Sequence, residues 1–448
     1  MDTIVINELF SAIFNVLYFG IILATIFIVI LDNRNPVKTM AWILVLFFLP
    51  IIGLVFYFFF GQNTRKERLI SRKGYSRLNK RPIAEYEAQE HLREQASTSR
   101  LMSFFTRVNS AWVFEGNTVD IYTDGYSMLQ ALMHDISLAK HHIHLQFYIF
   151  EDDAVGRLLR DLLIDKARQG VKIRLLYDDV GCWRVDPMFY DQMMCEGIEV
   201  QSFLKVRFPR FTSKVNYRNH RKIAIIDGRV GFIGGMNIAE RYIKGVSWGI
   251  WRDTHVRIEG KAVYGLQSSF LTDWYVVERT LLTSAEYYPK LSAYGSTIAQ
   301  VVTSDPVGEW HDLMQGLMKA VCSAKHYFYV ETPYFLPTEE VMTAFQIAAL
   351  GGVDVRIMLP KRADTFLTHM GSLSYLDELM KAGVKIYLYR KGFLHSKLWV
   401  SDDEFASVGS TNMDFRSFEH NFEANVFFYD RETIRRLKNI FLTDQKFS

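Results

Sequence analysis

Asn219-His220-Arg221-Lys222-Ile223-Ala224-Ile225-Ile226-Asp227 leads into Gly234-Gly235-Met236-Asn237, and the chain plays this constellation twice. The second copy is Leu394-His395-Ser396-Lys397-Leu398-Trp399-Val400-Ser401-Asp402, leading into Gly409-Ser410-Thr411-Asn412. On a strand, residues two apart share a face, so each His-x-Lys pair presents imidazole and ammonium together. The repetition extends outward. Ala139-Lys140-His141-His142-Ile143-His144-Leu145 parallels Ala324-Lys325-His326-Tyr327-Phe328-Tyr329-Val330, and both stretches read as strands. The first is followed by a helical stretch, Val155 to Arg168, with leucines on one face, and by a strand from Val171 to Tyr177. The second is followed by a helix from Glu339 to Leu350 and a strand from Val353 to Leu359. A unit of roughly 150–180 residues is too long for a solenoid repeat. Two fused, related α/β halves are expected.

Two uncharged stretches precede this region, Leu9 to Leu31 and Met40 to Phe60, separated by a loop carrying Arg34 and Lys38. Each is long enough to cross a hydrocarbon core of about 30 Å as a helix. No basic region precedes the first, which argues against a cleaved signal. Pro50 and Gly53 are positioned to kink the second. The basic residues Arg65, Lys66, Arg68, Arg72, Lys73, Arg77, Lys80 and Arg81 follow the hairpin, so its C-terminal side is expected in the cytoplasm. The cluster reads equally as a topology signal or as an attraction for anionic lipid head groups. Residues 1–64 are thus read as a transmembrane hairpin, 65–110 as a basic juxtamembrane linker, and 111–295 and 296–448 as the two halves.

Lys plus Arg number 52 against 49 Asp plus Glu in 448 residues, a balance that says little about partners. Cys182, Cys195 and Cys322 have neither zinc-like nor disulfide-like spacing and read as buried thiols of a reducing compartment.

The residue types suit phosphodiester chemistry without a metal or cofactor. Imidazole is a nucleophile that later leaves well, giving a phospho-histidine intermediate. A second imidazole can protonate the departing alcohol and reclaim the proton from the acceptor. Lys222, Lys397, Asn237 and Asn412 are placed to hold non-bridging oxygens and offset the charge of the transition state. Asp227 and Asp402 close the motifs, but lie an odd number of residues beyond the lysines. On a straight strand they face away, and they read as structural salt-bridge partners rather than acid–base groups.

These residues resemble the phospholipase D superfamily and, within it, the bacterial cardiolipin synthases. The resemblance is carried by both motifs, the N-terminal hairpin, Glu331-Thr332-Pro333-Tyr334-Phe335-Leu336-Pro337, and Gly409-Ser410-Thr411-Asn412-Met413-Asp414-Phe415-Arg416-Ser417. It covers nearly the whole chain and implies two mixed sheets, flanked by helices, meeting about a pseudo-twofold axis at one shared site. It also implies that an acid from each half orients a catalytic imidazole. Asp253, downstream of His220, and Glu423, downstream of His395, are the acids expected.

The activity implied is phosphatidyl transfer between two phosphatidylglycerol molecules, giving cardiolipin and glycerol, with His220 as nucleophile and His395 as acid and base. The site residues expected are then His220, Lys222, Asp227, His395, Lys397 and Asp402, with Asn237, Asn412, Asp253 and Glu423 in support and no metal. A phospholipase D-type hydrolase and a superfamily nuclease are the enzymatic rivals, and an inactive membrane scaffold is the rival outside catalysis. Partners are phospholipids and the bacterial inner membrane. Nucleic acid is not expected, and a homo-oligomer is open.

Weaker features have plainer readings beside them. Lys205, Arg207, Arg210, Lys214 and Arg218, interleaved with Phe208, Phe211 and Tyr217, read as a lipid-seating loop, a nucleic-acid strip or a solvated basic loop. Gln146 and Glu331 fall at equivalent positions of the halves and either line the site or bond the framework. His141, His142 and His144 lack a carboxylate or cysteine to complete a metal set.

Overall fold

The duplication in the sequence becomes a duplication in strand order. In a computed structural model of the chain, residues 2–32, 36–57, 61, 69, 71–89, 94, 99–206 and 216–448 are described. The first half supplies β1 (Val113–Tyr122), β2 (His142–Phe147), β3 (Lys172–Asp178), β4 (Glu199–Phe203), β5 (Arg218–Asn219), β6 (Ile223–Ile226), β7 (Val230–Gly234), β8 (Ile250–Arg252) and β9 (His255–Glu259). The second supplies β10 (Thr297–Ser304), β11 (Tyr327–Glu331), β12 (Phe335–Leu336), β13 (Asp354–Pro360), β14 (Lys385–Tyr389), β15 (Gly392–Leu394), β16 (Leu398–Ser401), β17 (Phe405–Gly409), β18 (Met413–Asp414) and β19 (Asn421–Phe428).

The main sheet runs β14-β13-β11-β16-β17-β19-β10-β1-β9-β7-β6-β2-β3-β4. Read outward from the antiparallel β1–β10 pair, each half repeats the other strand for strand. Each half is mixed, with β2–β3–β4 and β11–β13–β14 parallel and the strands nearer the centre antiparallel. The inner strands β2 and β11 are buried on both faces, and the parallel strands are connected by helices, among them Ala154–Arg168 and Glu339–Leu350. Leu159 and Leu163 of the first and Val341 and Phe345 of the second are buried against the sheet, as expected of an amphipathic crossover helix. Helices Val263–Glu278 and Arg431–Gln445 each follow the last long strand of a half. They bring Phe270, Trp274, Leu437 and Phe441 into a core shared by both halves.

Two short pairings leave this scheme and decide where the site lies. β5, just before His220, pairs in parallel with β19 of the other half, and β15, just before His395, pairs in parallel with β8 of the first. Each motif is therefore delivered to the strand that carries the other half's acid. The second exchange needs a close backbone approach. A Cβ on Gly392 would lie 2.0 Å from the Ile250 carbonyl oxygen, a position only glycine fills.

The chain divides into two compact units, Met1–Lys66 with Val206–Asn216, and Glu67–Lys205 with Tyr217–Ser448. In the first, helix Asp2–Asp32 contains a 21-residue segment, Ser11–Leu31, long and apolar enough to cross a membrane. Val16, Leu23 and Leu31 on it point outward, the arrangement of a helix solvated by lipid. The second apolar stretch differs from the expected single helix. It is divided into Pro36–Phe48 and Pro50–Phe56, with the break at Leu49. Pro50 cannot donate an N–H and disfavours helical geometry in the residue before it, so the break falls there. Among the described residues one helix is therefore long and apolar enough to span, and a two-helix hairpin is not shown. Val29, Leu46 and Tyr57 form a small core in this unit, with Trp42 edge-on to Tyr57 at 5.4 Å.

Other expectations are corrected. Of the three cysteines, Cys182 alone is buried, while Cys195 and Cys322 are exposed on the outer faces of helices. Arg218 is not part of a solvated basic loop. It is buried, with its guanidinium 3.7 Å from the Asp178 carboxylate. Arg207, Phe208, Arg210, Phe211 and Lys214 lie outside the described residues, as do Arg34, Arg65, Lys66 and Arg68.

Candidate active site

The strand exchange aligns backbone before it aligns side chains. The His220 N–H donates to the Phe422 carbonyl at 2.9 Å, and the His395 N–H donates to the Arg252 carbonyl at 2.7 Å. The residue after each accepting carbonyl is the acid, Glu423 within β19 and Asp253 just beyond β8. Nδ1 of His220 consequently meets both oxygens of Glu423, at 3.0 and 3.2 Å, and Nδ1 of His395 meets Oδ2 of Asp253 at 2.6 Å. Each imidazole is oriented by the acid of the other half. That pairing leaves Nε2 of each ring as the atom available for chemistry. His220 and His395 keep 13% and 9% side-chain exposure, whereas both acids are fully buried.

His220 through Lys222 and His395 through Lys397 are not strand residues, as expected from the sequence, but extended links entering β6 and β16. Their lysines fold back on the histidines. Lys222 Nζ donates to the His220 carbonyl at 2.6 Å, and Lys397 Nζ donates to the His395 carbonyl and lies 3.0 Å from His395 Nδ1. Burial lowers both ammonium groups, Lys222 to about 7 and Lys397 to about 8, although Glu423 and Asp253 respectively oppose the shift. Burial and Lys397 together hold His395 well below its ordinary value. Burial also lowers His220, with Glu423 opposing and Lys222 adding to the shift. Burial works to raise both acids, but the facing histidines and lysines hold Asp253 and Glu423 ionised, below the usual carboxylate range.

Asn237 and Asn412 end the turns after β7 and β17, and both are buried. The Asn237 amide donates to the Tyr242 hydroxyl at 2.6 Å and its oxygen accepts the Ile149 N–H at 3.0 Å. Its oxygen is thus committed to the frame, and its second N–H is the one left to meet a phosphate. Asp227 and Asp402 do face away from the lysines, but among the described residues neither forms a salt bridge. Asp227 accepts the backbone N–H groups of Lys140, His141 and His142, and Asp402 those of Lys325, His326 and Tyr327. Each sits at positive φ, +52° and +53°, capping the entry to the neighbouring strand (β2 or β11) from a hairpin turn. They have no contact with the reacting imidazoles, so the candidate catalytic set reduces to His220, Lys222, His395 and Lys397.

Several site residues carried no signal in the sequence. Tyr148 stands edge-on to His220 at 5.1 Å, with Lys222 Nζ 5.4 Å from its ring centre. Trp251, Phe393 and Tyr242 surround His395 at 5.3, 5.6 and 6.0 Å. The Ser410 hydroxyl donates to Glu423, and Asn421 supports the same carboxylate at 3.1 Å. Behind the first motif, buried Asp273 accepts from Gln146 at 2.5 Å, Arg221 at 2.6 Å and Asn219 at 3.1 Å. His141, His142 and His144 are absorbed into a framework network with Gln267, Arg174 and Glu286.

This geometry agrees with what the chain is similar to. The model of the family described as "Cardiolipin synthase, PLD-like domain" matches residues 132–274 and 317–445, one segment in each half. The chain belongs to that family. A second model, described as "Phospholipase_D-nuclease N-terminal", matches residues 20–62. The chain is 39% identical over 434 residues to the major cardiolipin synthase of Bacillus subtilis, covering 94% of this chain and 90% of that one. It is 40% identical over 428 residues to a cardiolipin synthase of a Geobacillus species, covering 94% and 85% respectively. Among solved structures, phosphatidylserine synthase of Haemophilus influenzae superposes with a TM-score of 0.58 at 12% identity, over 78% of this chain and 91% of that one. At that identity the likeness speaks for the fold alone, a duplicated PLD-like α/β arrangement.

Proposed function

We propose that the chain is a cardiolipin synthase that transfers a phosphatidyl group from one phosphatidylglycerol to the hydroxyl of another. The observation that carries the reading is the crossed pairing of two histidines with two buried acids, each with a lysine beside it. His220 Nε2 attacks the donor phosphorus while Glu423 accepts the Nδ1–H and stabilises the cation that forms. His395 gives its Nε2 proton to the departing glycerol oxygen, then takes a proton from the hydroxyl of the second phosphatidylglycerol as that oxygen attacks phosphorus. The P–N bond breaks, His220 is restored, and atoms balance as two phosphatidylglycerols giving cardiolipin and glycerol. Lys222, Lys397 and the asparagine amides hold the non-bridging oxygens. A phosphodiester anion beside the lysines also offsets the positive field that lowers His395, so the acid gains its proton when substrate is present.

Ser11–Leu31 anchors the enzyme, and Pro36–Phe48 with Pro50–Phe56 forms a return segment bent at Pro50. The basic residues after it favour a multi-pass arrangement with a cytoplasmic catalytic domain. Residues 1–64, 65–110, 111–295 and 296–448 serve as hairpin, linker and two halves. Both the bond broken and the bond made are phosphodiesters, so the exchange is nearly thermoneutral. Purified enzyme given phosphatidylglycerol alone should form cardiolipin and free glycerol, and added glycerol should return cardiolipin to phosphatidylglycerol. Phosphatidic acid as sole product, or a requirement for a nucleotide-linked lipid, would contradict the reading.

A further inference from the structure

Gln146 and Glu331 hold the same place in the two halves. Gln146 pairs with Ile223 and Glu331 with Leu398, each the residue after a motif lysine. Both are essentially without solvent contact. Behind Gln146 lies the Asp273 carboxylate, which receives the Gln146 amide and the Arg221 guanidinium. Behind Glu331 lies Asp444, from the corresponding helix Arg431–Gln445, which receives Arg252 at 2.6 Å. Arg221 also faces the Asp305 carboxylate, so the first cluster holds neutral Gln146 with Asp273, Asp305 and one arginine. The second contains two carboxylates and one arginine, all buried.

The polar neighbours of Glu331 are Asp444, Arg252 and Ser396, with Tyr389 of β14 next to the group. Neither Glu331 oxygen receives a hydrogen bond of good geometry among the described residues, while Asp444 Oδ2 is ion-paired with Arg252. Two ionised carboxylates sharing one arginine out of water would leave an uncompensated charge, which is far costlier than a retained proton. Position 146 shows the chemistry that the fold uses there, a neutral group donating to the helix carboxylate.

We propose that Glu331 is a neutral carboxylic acid that donates its proton to Asp444, and that this pair is a positioning device for His395. Burial and Asp444 push the Glu331 carboxyl up, to about 8, against the opposing pull of Arg252. Arg252 links the pair to the site. Its guanidinium donates to the Asp253 carbonyl at 2.5 Å and to the Thr254 hydroxyl at 3.1 Å, and Thr254 meets the Ser396 hydroxyl at 2.7 Å. Arg252 therefore fixes the segment that carries the acid of His395, and Thr254 ties it to the motif itself. Ionised Glu331 would compete with Asp444 for Arg252 and loosen both attachments.

The functional arm rests on the transfer activity proposed above; the spectroscopic arm does not. In the full-length enzyme at neutral pH, the infrared difference between wild type and Glu331→Gln should show loss of a protonated-carboxyl C=O band. Glu331→Gln should keep transfer within about threefold of wild type, while Glu331→Ala should lose about tenfold or more, because the donor to Asp444 is gone. A difference spectrum that loses only ionised-carboxylate bands would overturn the proposal. So would a Glu331→Gln enzyme as impaired as Glu331→Ala.

Discussion

His220 is held by a glutamate and His395 by an aspartate, and the turn behind each acid differs to match. Glu423 reaches His220 with both oxygens and is itself held by the Ser410 hydroxyl and the Asn421 amide. Asp253 is one methylene shorter, and the residue equivalent to Ser410 is Gly235. A Cβ on Gly235 would lie 2.1 Å from Asp253 Oδ1, so the absent side chain is where the shorter acid sits. The lysines differ as well. Lys397 Nζ lies 3.0 Å from His395 Nδ1, whereas Lys222 bonds the backbone of His220. Identical motifs therefore produce unequal imidazoles. Burial and the Lys397 cation hold His395, the less exposed ring, below its ordinary value, and burial with Lys222 lowers His220 against the pull of Glu423.

The largest expected effects come from breaking either pair at the ring. His220→Ala and His395→Ala should each lower kcat by about 10⁴-fold or more, and the double variant should be little worse, because the residues act as a unit. Quenched-flow assays of cardiolipin formation would check this. Two independent multiplicative losses would contradict it. Next come the acids. Glu423→Gln and Asp253→Asn should each cost about 10²- to 10⁴-fold by failing to fix the tautomer. The crossing has its own signature. The low-field Nδ1–H resonance of His395 should vanish in Asp253→Asn and survive in Glu423→Gln, and same-half pairing would give the reverse.

Smaller effects are expected at the turn residues behind the acids. Gly235→Ser puts an atom against Asp253 and should reduce activity about tenfold or more. Ser410→Gly removes one of the hydrogen bonds that hold Glu423 and should cost about tenfold at most. Equal losses would mean that the turns do not discriminate between the acids. The smallest effect concerns pH. Lys222 and Lys397 are lowered to about 7 and about 8, so their charge is present below that range and lost as pH rises through it. A bound phosphodiester restores the charge. KM for phosphatidylglycerol should therefore rise several-fold between about pH 7 and 9, while kcat changes less. A constant KM across that window would contradict the lysine assignment.

The two halves, their strands and their crossover helices were legible in the sequence because each is a local pattern. Glu339–Leu350 reads as a helix from its own residues, and β2 and β3 from theirs. Both histidines and both acids were legible through duplication and resemblance. The crossing was not. It arises from β5–β19 and β15–β8, pairings of two or three residues between distant segments, too short to leave a periodic trace. The role of Asp227 and Asp402 was half legible. Strand alternation turned them away from the lysines, but their backbone partners, three N–H groups in each half, depend on a turn at positive φ. Tyr148, Trp251 and Phe393 reach the imidazoles through tertiary packing, and no spacing in the sequence announces it. The break at Leu49 follows from Pro50 by a local rule, yet whether such a bent segment still spans depends on the lipid around it.

A covalent phosphatidyl group on His220, resolved with the help of His395, is the intermediate of the proposed transfer. Full-length enzyme should be mixed with phosphatidylglycerol labelled in its phosphate, quenched in denaturant within one turnover, and digested for mass spectrometry under alkaline conditions that preserve phosphoramidates. The predicted result is a phosphatidyl adduct on the peptide containing His220 in wild type and none in His220→Ala. An adduct on His395, or cardiolipin formed with no adduct on either histidine, would contradict it.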